Sequence, residues 1–245
     1  MRGQCVHGIE VLDHDAHLWV LDKPAGLLSA PGRGPDKQDC LTARIQQCDP
    51  QARLVHRLDQ ATSGVMVLAR DADTQRQLNA AFAERLVSKS YLAVVDGVPA
   101  HTGDWQLIDA PIDLHWPDRP RHHVGPQGKP SQTRWRVLAV APDRQWSLLL
   151  LRPLTGRSHQ LRVHMLHLGH PIRGDRLYAP NAVADAAPRL LLHAWQLGLR
   201  HPVSGDNRRW TAPVPASWPD DFCQPSVAQA LQNAHLPPLP GDFYA

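Results

Sequence analysis

The sequence predicts an α+β fold, and three observations lead there. Short apolar, partly β-branched runs are separated by Gly- and Pro-containing turns. Other stretches carry apolar residues at helical spacing. The two kinds do not alternate in the regular βαβ order that a parallel sheet requires.

In chain order, His17–Asp22 is an apolar run closed by Lys23-Pro24-Ala25-Gly26, which predicts a strand entering a turn. Pro31-Gly32-Arg33-Gly34-Pro35 reads as a loop, and Leu41–Gln47 as a short helix. Thr62-Ser63-Gly64 favours a turn. Val65–Ala69 is continuously apolar, as in a buried strand. Between Asp73 and Leu86 the apolar positions Leu78, Ala81, Phe82 and Leu86 predict a helix, and Tyr91–Val95 then reads as a strand. From His115 to Arg136 periodicity stops, prolines recur, and five basic residues face one acid, Asp118, so a basic loop is expected. Val137–Val140 and Trp146–Leu151 are strands by composition, Ser158–Leu168 is a helix with Ser158 as its candidate cap, and Leu190–Leu199 is a further strand. Beyond Pro213 the sequence turns proline-rich and reads as a peripheral tail, residues 216–245.

The 245 residues suffice for one good core, or for two small domains. A hydrophobic share of 42% argues against wholesale disorder. Lys plus Arg is 26 against 23 Asp plus Glu, so the distribution of charge says more than its sum of +3. Cys5, Cys40, Cys48 and Cys223 form no Cys-x-x-Cys pair, which fits reduced thiols. The start has no signal-peptide apolar run and no run is long enough to span a bilayer, so a soluble, cytoplasmic protein is expected.

Asp59 stands in His56-Arg57-Leu58-Asp59-Gln60-Ala61-Thr62-Ser63-Gly64, between two apolar stretches and near a cation. Alone it has dull explanations: a helix cap, or a weak surface pair with Arg57. A second stretch raises its standing. From Leu154 to His164 the chain packs two Arg, two His, Gln, Ser and Thr, and from Arg152 to Tyr178 there are five Arg against one acid. With the basic loop, this makes two basic segments on a nearly neutral chain, the distribution that phosphate-backbone binding needs. The competing reading is a metal site on His159, His164, His167 and His170. No His-Glu-x-x-His, cysteine pair or nearby carboxylate accompanies them until Asp175.

These blocks resemble the RluA-type pseudouridine synthases. His56-Arg57-Leu58-Asp59-x-x-Thr62-Ser63-Gly64 is similar to the family signature. Lys89-Ser90-Tyr91-Leu92-Ala93, Gly156-Arg157-x-His159-Gln160-Leu161-Arg162-x-His164, Gly169-His170-Pro171-Ile172-x-Gly174-Asp175 and Leu190-Leu191-Leu192-His193-Ala194 follow in the family's order. The resemblance covers roughly residues 10 to 215. It implies a catalytic domain over residues 1–215 built on a mixed, largely antiparallel central sheet, flanked by helices and loops, with a basic active-site cleft. Lys23-Pro24-Ala25-Gly26 resembles the opening of that domain and comes too early for an S4 domain to precede it. Trp116-Pro117-x-Arg119-Pro120 with Gly128-Lys129-Pro130 resembles the short, dual-specificity branch, which modifies a tRNA anticodon-loop uridine and a 23S rRNA hairpin-loop uridine.

The resemblance also implies site roles. Asp59 is the catalytic carboxylate, Arg162 the cation that keeps it ionised in a dry pocket, and Tyr91 the ring that stacks on uracil. Arg57 fills the place a flipped base leaves, and Leu161 is an apolar wall. His56, Arg157, Arg119, Arg121 and Lys129 complete the RNA-binding set. No cofactor and no metal are implied, and the expected partners are tRNA and 23S rRNA bound by a monomer. The alternative is an RNA chaperone on the same fold without catalysis.

Overall fold

The computed structural model describes residues 4–101 and 103–216, with 218, 227, 231 and 234 beyond them. The first half of the chain runs β1 (Gln4–Val6), β2 (Ile9–His14), β3 (Leu18–Lys23), α1 (Leu41–Gln46), β4 (Arg53–Leu54), β5 (Ser63–Ala69), α2 (Ala72–Ala83) and β6 (Ser88–Asp96). It continues with β7 (Gln106–Asp109), β8 (Ile112–Leu114), β9 (His122–Val124), β10 (Gln132–Val140), β11 (Trp146–Pro153), α3 (Gln160–His167), α4 (Asn181–Ala184), β12 (Leu192–Arg200) and β13 (Asn207–Thr211). The class is α+β, with mixed, mostly antiparallel strands and few helices. Among the described residues no helix is long and apolar enough to cross a membrane.

The chain forms two compact units. The first holds residues up to Lys89 and Ala194–Pro213; the second holds Ser90–His193 and the described residues after Pro213. The expected C-terminal tail, Cys223 included, lies almost wholly outside the described residues.

In the first unit the strand order is β1-β2-β3-β5-β12, with β13 on β12 and β4 against β5. All seven residues of β5 are buried, which explains why its sequence is continuously apolar rather than alternating. Ser63 and Gly64 belong to this strand and not to the turn that their composition predicted. Gly64 has φ +118°, and a Cβ there would lie 2.2 Å from the Ala194 carbonyl oxygen. Close approach of β12 therefore selects glycine. Helix α2 begins at an Asp71 cap, whose carboxylate accepts the Thr74 N–H at 2.8 Å. It stops at Ala83, three residues short of expectation, because Arg85 turns to φ 62°. Leu86 is consequently exposed instead of completing the apolar stripe.

In the second unit the order is β6-β11-β10-β7, antiparallel throughout. The expected aperiodic loop at 115–136 is more ordered than predicted. It contains a helical turn at Trp116–Asp118, the β8–β9 hairpin, and the start of β10 at Gln132. Strands this short escape period-2 pattern reading. Helix α3 is not capped by Ser158. Its N-cap is His159 in the left-handed region (φ 55°), with no side-chain cap bond. Gln160 stabilises this end instead, since its Oε1 accepts from the Thr155 hydroxyl (2.7 Å) and the Arg157 N–H (3.0 Å). Its Nε2 donates to the Gln132 carbonyl and to Thr133 Oγ1, which seats α3 on the Thr133 face of β10.

Gly64→Ala should lower stability by more than about 2 kcal/mol, since it adds strain at a positive φ to a backbone overlap. Guanidinium denaturation with an unchanged m-value checks this; a midpoint equal to wild type contradicts the close approach.

Candidate active site

Asp59 is half-buried on the loop between β4 and β5. The loop is fastened on both sides of it within the first unit. Before it, the Leu58 carbonyl accepts from Ser29 Oγ at 2.8 Å and the Leu58 N–H donates back to the same oxygen at 3.1 Å. Ser29 is itself held, because its carbonyl accepts from Thr42 Oγ1 at 2.8 Å. After it, the Gln60 carbonyl accepts from the Gly26 N–H (2.8 Å) and from Lys23 Nζ (3.2 Å). Lys23 is fully buried at the end of β3, and its ammonium also donates to the carbonyls of Pro24 and Leu27. A buried cation bonded to several carbonyls draws distant backbone segments into one place. The Thr62 N–H donates to the Asp59 carbonyl at 3.0 Å, closing a tight turn around the acid.

His56, expected to contact RNA, is tied into the first unit. Its Nε2 accepts the Val67 N–H at 3.0 Å, and its ring stacks on Phe82 with centroids 4.6 Å apart. Burial, helped by the Lys89 charge, pushes its pKa down to about 3. Arg57 is exposed beside it.

In the second unit, Arg162 projects from α3 and is buried. Asp175 grips it through both carboxylate oxygens, at 2.6 and 2.8 Å, and is itself 1% exposed. The same carboxylate accepts the N–H groups of Leu177 and Tyr178, at 3.0 and 3.2 Å. The Arg162 guanidinium also lies over the Tyr178 ring, 4.9 Å from its centroid. The Tyr178 hydroxyl bonds His159 Nδ1 at 2.7 Å and accepts the His122 N–H at 3.0 Å. Arg162, α3 and the β8–β9 hairpin are thus tied through one tyrosine.

Leu161 is buried on α3, and Tyr91 is half-buried on β6 opposite Leu151 of β11. Arg119, Arg121 and Lys129 are exposed on or beside the hairpin, and Lys129 is joined to Ile112 by two backbone hydrogen bonds. Arg157 is exposed next to α3. Structure therefore gathers Arg119, Arg121, Lys129, Arg157, Leu161 and Arg162 around α3 and its hairpin.

Three histidines of the 159–170 stretch, His159, His164 and His170, have hydrogen-bond partners within the second unit. His164 is fully buried, its Nε2 donates to the Ala110 carbonyl at 3.0 Å, and its Nδ1 meets Thr133 Oγ1 at 2.9 Å. Burial pushes its pKa down and keeps it neutral. His170 bonds the Asp96 carbonyl at 2.8 Å. Among the described residues, no three His, Cys, Asp or Glu are grouped to hold a metal ion.

The sequence profile of RNA pseudouridylate synthases matches residues 17–167. The chain belongs to that family. Over 205 residues this synthase is 48% identical to the dual-specificity RNA pseudouridine synthase RluA of Escherichia coli K12, covering 83% of this chain and 92% of the relative. It is 47% identical over 196 residues to the enzyme of the same name from Yersinia pestis, covering 80% and 94%. Among solved structures, human RNA pseudouridylate synthase domain containing 1 aligns with a TM-score of 0.72 at 27% identity, over 97% of this chain and 100% of that one. Human RNA pseudouridylate synthase domain containing 4 aligns with a TM-score of 0.68 at 26% identity, over 94% of each. The synthase is therefore an isomerase that converts uridine to pseudouridine in RNA.

Sequence reasoning missed Lys23, Ser29, Asp175 and Tyr178 as residues that hold Asp59 and Arg162 in place. Lys23 carried a signal: a lysine ending an apolar strand run is expensive to bury unless its bonds are needed. Asp175 carried another, as the one acid in a segment with five arginines.

The His56 environment sets a pH dependence. The folded state keeps the imidazole neutral, while the unfolded chain protonates it near 6.5. Its contribution is intact above pH 6.5 and is lost as pH falls from there toward 3, by up to about 1.4 kcal/mol per pH unit. His56→Gln, which keeps an acceptor for Val67, should flatten the stability–pH curve between pH 6 and pH 4 by about that slope. Denaturant melts across that range decide it, and parallel curves contradict the assignment.

Proposed function

We propose that this synthase modifies a uridine in the anticodon loop of tRNA and a hairpin-loop uridine of 23S rRNA. The observation that carries the reading is its 48% identity, over most of both chains, to an enzyme named for dual specificity. The reading includes a monomer working in the cytoplasm, where both RNAs are found. A chaperone without catalysis has less support, since the relatives bear the names of synthases.

In this reading Asp59 is the catalytic carboxylate. The bond between N1 of uracil and ribose C1′ breaks, the base turns, and C5 joins C1′. The C5 proton is then lost and N1 regains one, so no electrons are exchanged and no cofactor is required. Asp59 acts either by bonding to C1′ until C5 displaces it, or by removing the C2′ proton to give a glycal that is reprotonated after rejoining. Both routes need a carboxylate held still, and the bonds on either side of Asp59 support that. Arg162 supplies the balancing charge, and its grip by Asp175 supports a fixed guanidinium. Tyr91 stacks on the uracil, and its hydroxyl handles the C5 proton. Leu161 walls the base. Arg57 enters the stack that the flipped nucleotide leaves. Arg119, Arg121, Lys129 and Arg157 hold phosphates.

RNA tritiated at uridine C5 tests this directly. Wild type should release tritium from an anticodon stem-loop and from a 23S hairpin. Asp59→Asn should release none while binding either RNA within a few-fold of wild type. Release from bulk RNA alone would overturn the substrate reading; turnover by Asp59→Asn would overturn the mechanism.

A further inference from the structure

Three arginines that none of these roles uses meet on one face of the second unit. Arg134 and Arg152 are direct cross-strand partners on β10 and β11, and Arg136 follows Arg134 two residues along the same face. Two of the guanidiniums lie over the Trp105 ring, Arg152 at 4.3 Å and Arg136 at 5.2 Å from its centroid. Thr133 and Trp135 alternate to the opposite side, and α3 is bonded to Thr133 there. The arginine cluster is therefore on the face of the sheet that α3 does not occupy.

Bringing three guanidiniums this close costs electrostatic energy. Burial, followed by the charges of Arg136 and Arg134, pushes Arg152 down to about 10. Among the described residues, neither Arg134 nor Arg136 has a carboxylate at ion-pair distance, and the buried Nε of Arg136 has no hydrogen-bond partner. The nearby acids are otherwise placed. Asp109 accepts from the Gln132 amide at 2.8 Å, and Asp104 is exposed beside Trp105. Trp105 offers a π face that holds two cations near each other. The guanidiniums of Arg134 and Arg136, gathered this way beside Arg152, match a phosphate, which takes guanidinium in bidentate fashion.

We propose that Arg134, Arg136 and Arg152, ordered by Trp105, form a second anion site that takes a phosphodiester of the substrate RNA outside the loop being modified. Strand β7 is the edge of this unit's sheet, next to β10, so RNA reaches the cluster by passing over that edge. Leu107 of β7, the cross-strand partner of Arg134, is 52% exposed and leaves the approach open. The inference rests on RNA being the substrate, which family membership carries, and not on which uridine is modified.

The test compares wild type, Arg134→Ala, Arg134→Lys and the double variant Arg134→Ala/Arg136→Gln. Affinity is measured for full-length tRNA and for an isolated anticodon stem-loop over a series of salt concentrations. The double variant should bind full-length tRNA at least several-fold more weakly. Its log–log salt slope should become shallower by about 0.9 for each phosphate that is no longer neutralised. Tritium release from the stem-loop, the internal control for catalysis, should be unchanged. Arg134→Ala should show a smaller effect in the same direction, and Arg134→Lys should restore most of it. Arg134 is exposed, so its single variants keep the test open if the double variant does not fold. Unchanged affinity and slope for full-length tRNA would overturn the proposal. So would thermal stabilisation of wild type, but not of the double variant, by inorganic phosphate with RNA affinity unaltered, which would mark a site for free phosphate.

Discussion

The fastening of the Asp59 loop to residues 23–29 is the constraint on which the proposed chemistry depends. A carboxylate on a free loop samples many positions, and a misplacement of about 1 Å can cost a hundredfold in rate. Here the residues on either side of the acid are bound through their backbone, to a serine on one side and to a buried ammonium and a glycine amide on the other. Each partner is local to a segment more than two dozen residues earlier. The loop therefore has fixed geometry only in the folded unit, and strand β5 behind it, buried on both faces, provides the rigid floor. His56 adds to this, because its ring nitrogen accepts the N–H of Val67 in that strand.

The second unit solves a related problem for charge. An arginine buried without a partner would be prohibitive, and the Asp175 grip removes that cost while holding the guanidinium plane. Tyr178 then links the arginine to the β8–β9 hairpin through His159 and His122. The basic residues of the hairpin are in this way registered to α3, and a segment that reads as a solvated loop acquires a defined place. In the proposed reading this positive surface gathers phosphate, which positions RNA without reading its sequence.

The sequence made the main strands legible because β5, β6 and β11 are apolar on both faces and leave a continuous run. Asp59, Tyr91 and Arg162 stood out as candidates because they sit in ordered blocks that resemble a family. Three kinds of feature stayed hidden. Strands of three or four residues, such as β1, β7, β8 and β9, are too short for a period to register. Ser63 and Gly64 looked like turn residues because propensity cannot anticipate that a neighbouring strand approaches within 2.2 Å of an added Cβ. Asp175 and Lys23 are set by tertiary pairing across 13 and 37 residues, to Arg162 and Gln60, which no local pattern encodes. The bond from Val67 to His56 also stayed hidden, since a histidine inside such a motif gives no sign of which way its ring faces.

Ser29 offers the most direct test of the central claim, because its hydroxyl makes two bonds to Leu58 and lies outside the reacting groups. Single-turnover rates of Ser29→Ala, measured with saturating RNA, should fall about tenfold or more while RNA affinity stays within twofold, as expected when a positioning bond is lost but binding is not. A rate equal to wild type would contradict the claim that this fastening holds Asp59 in its working position.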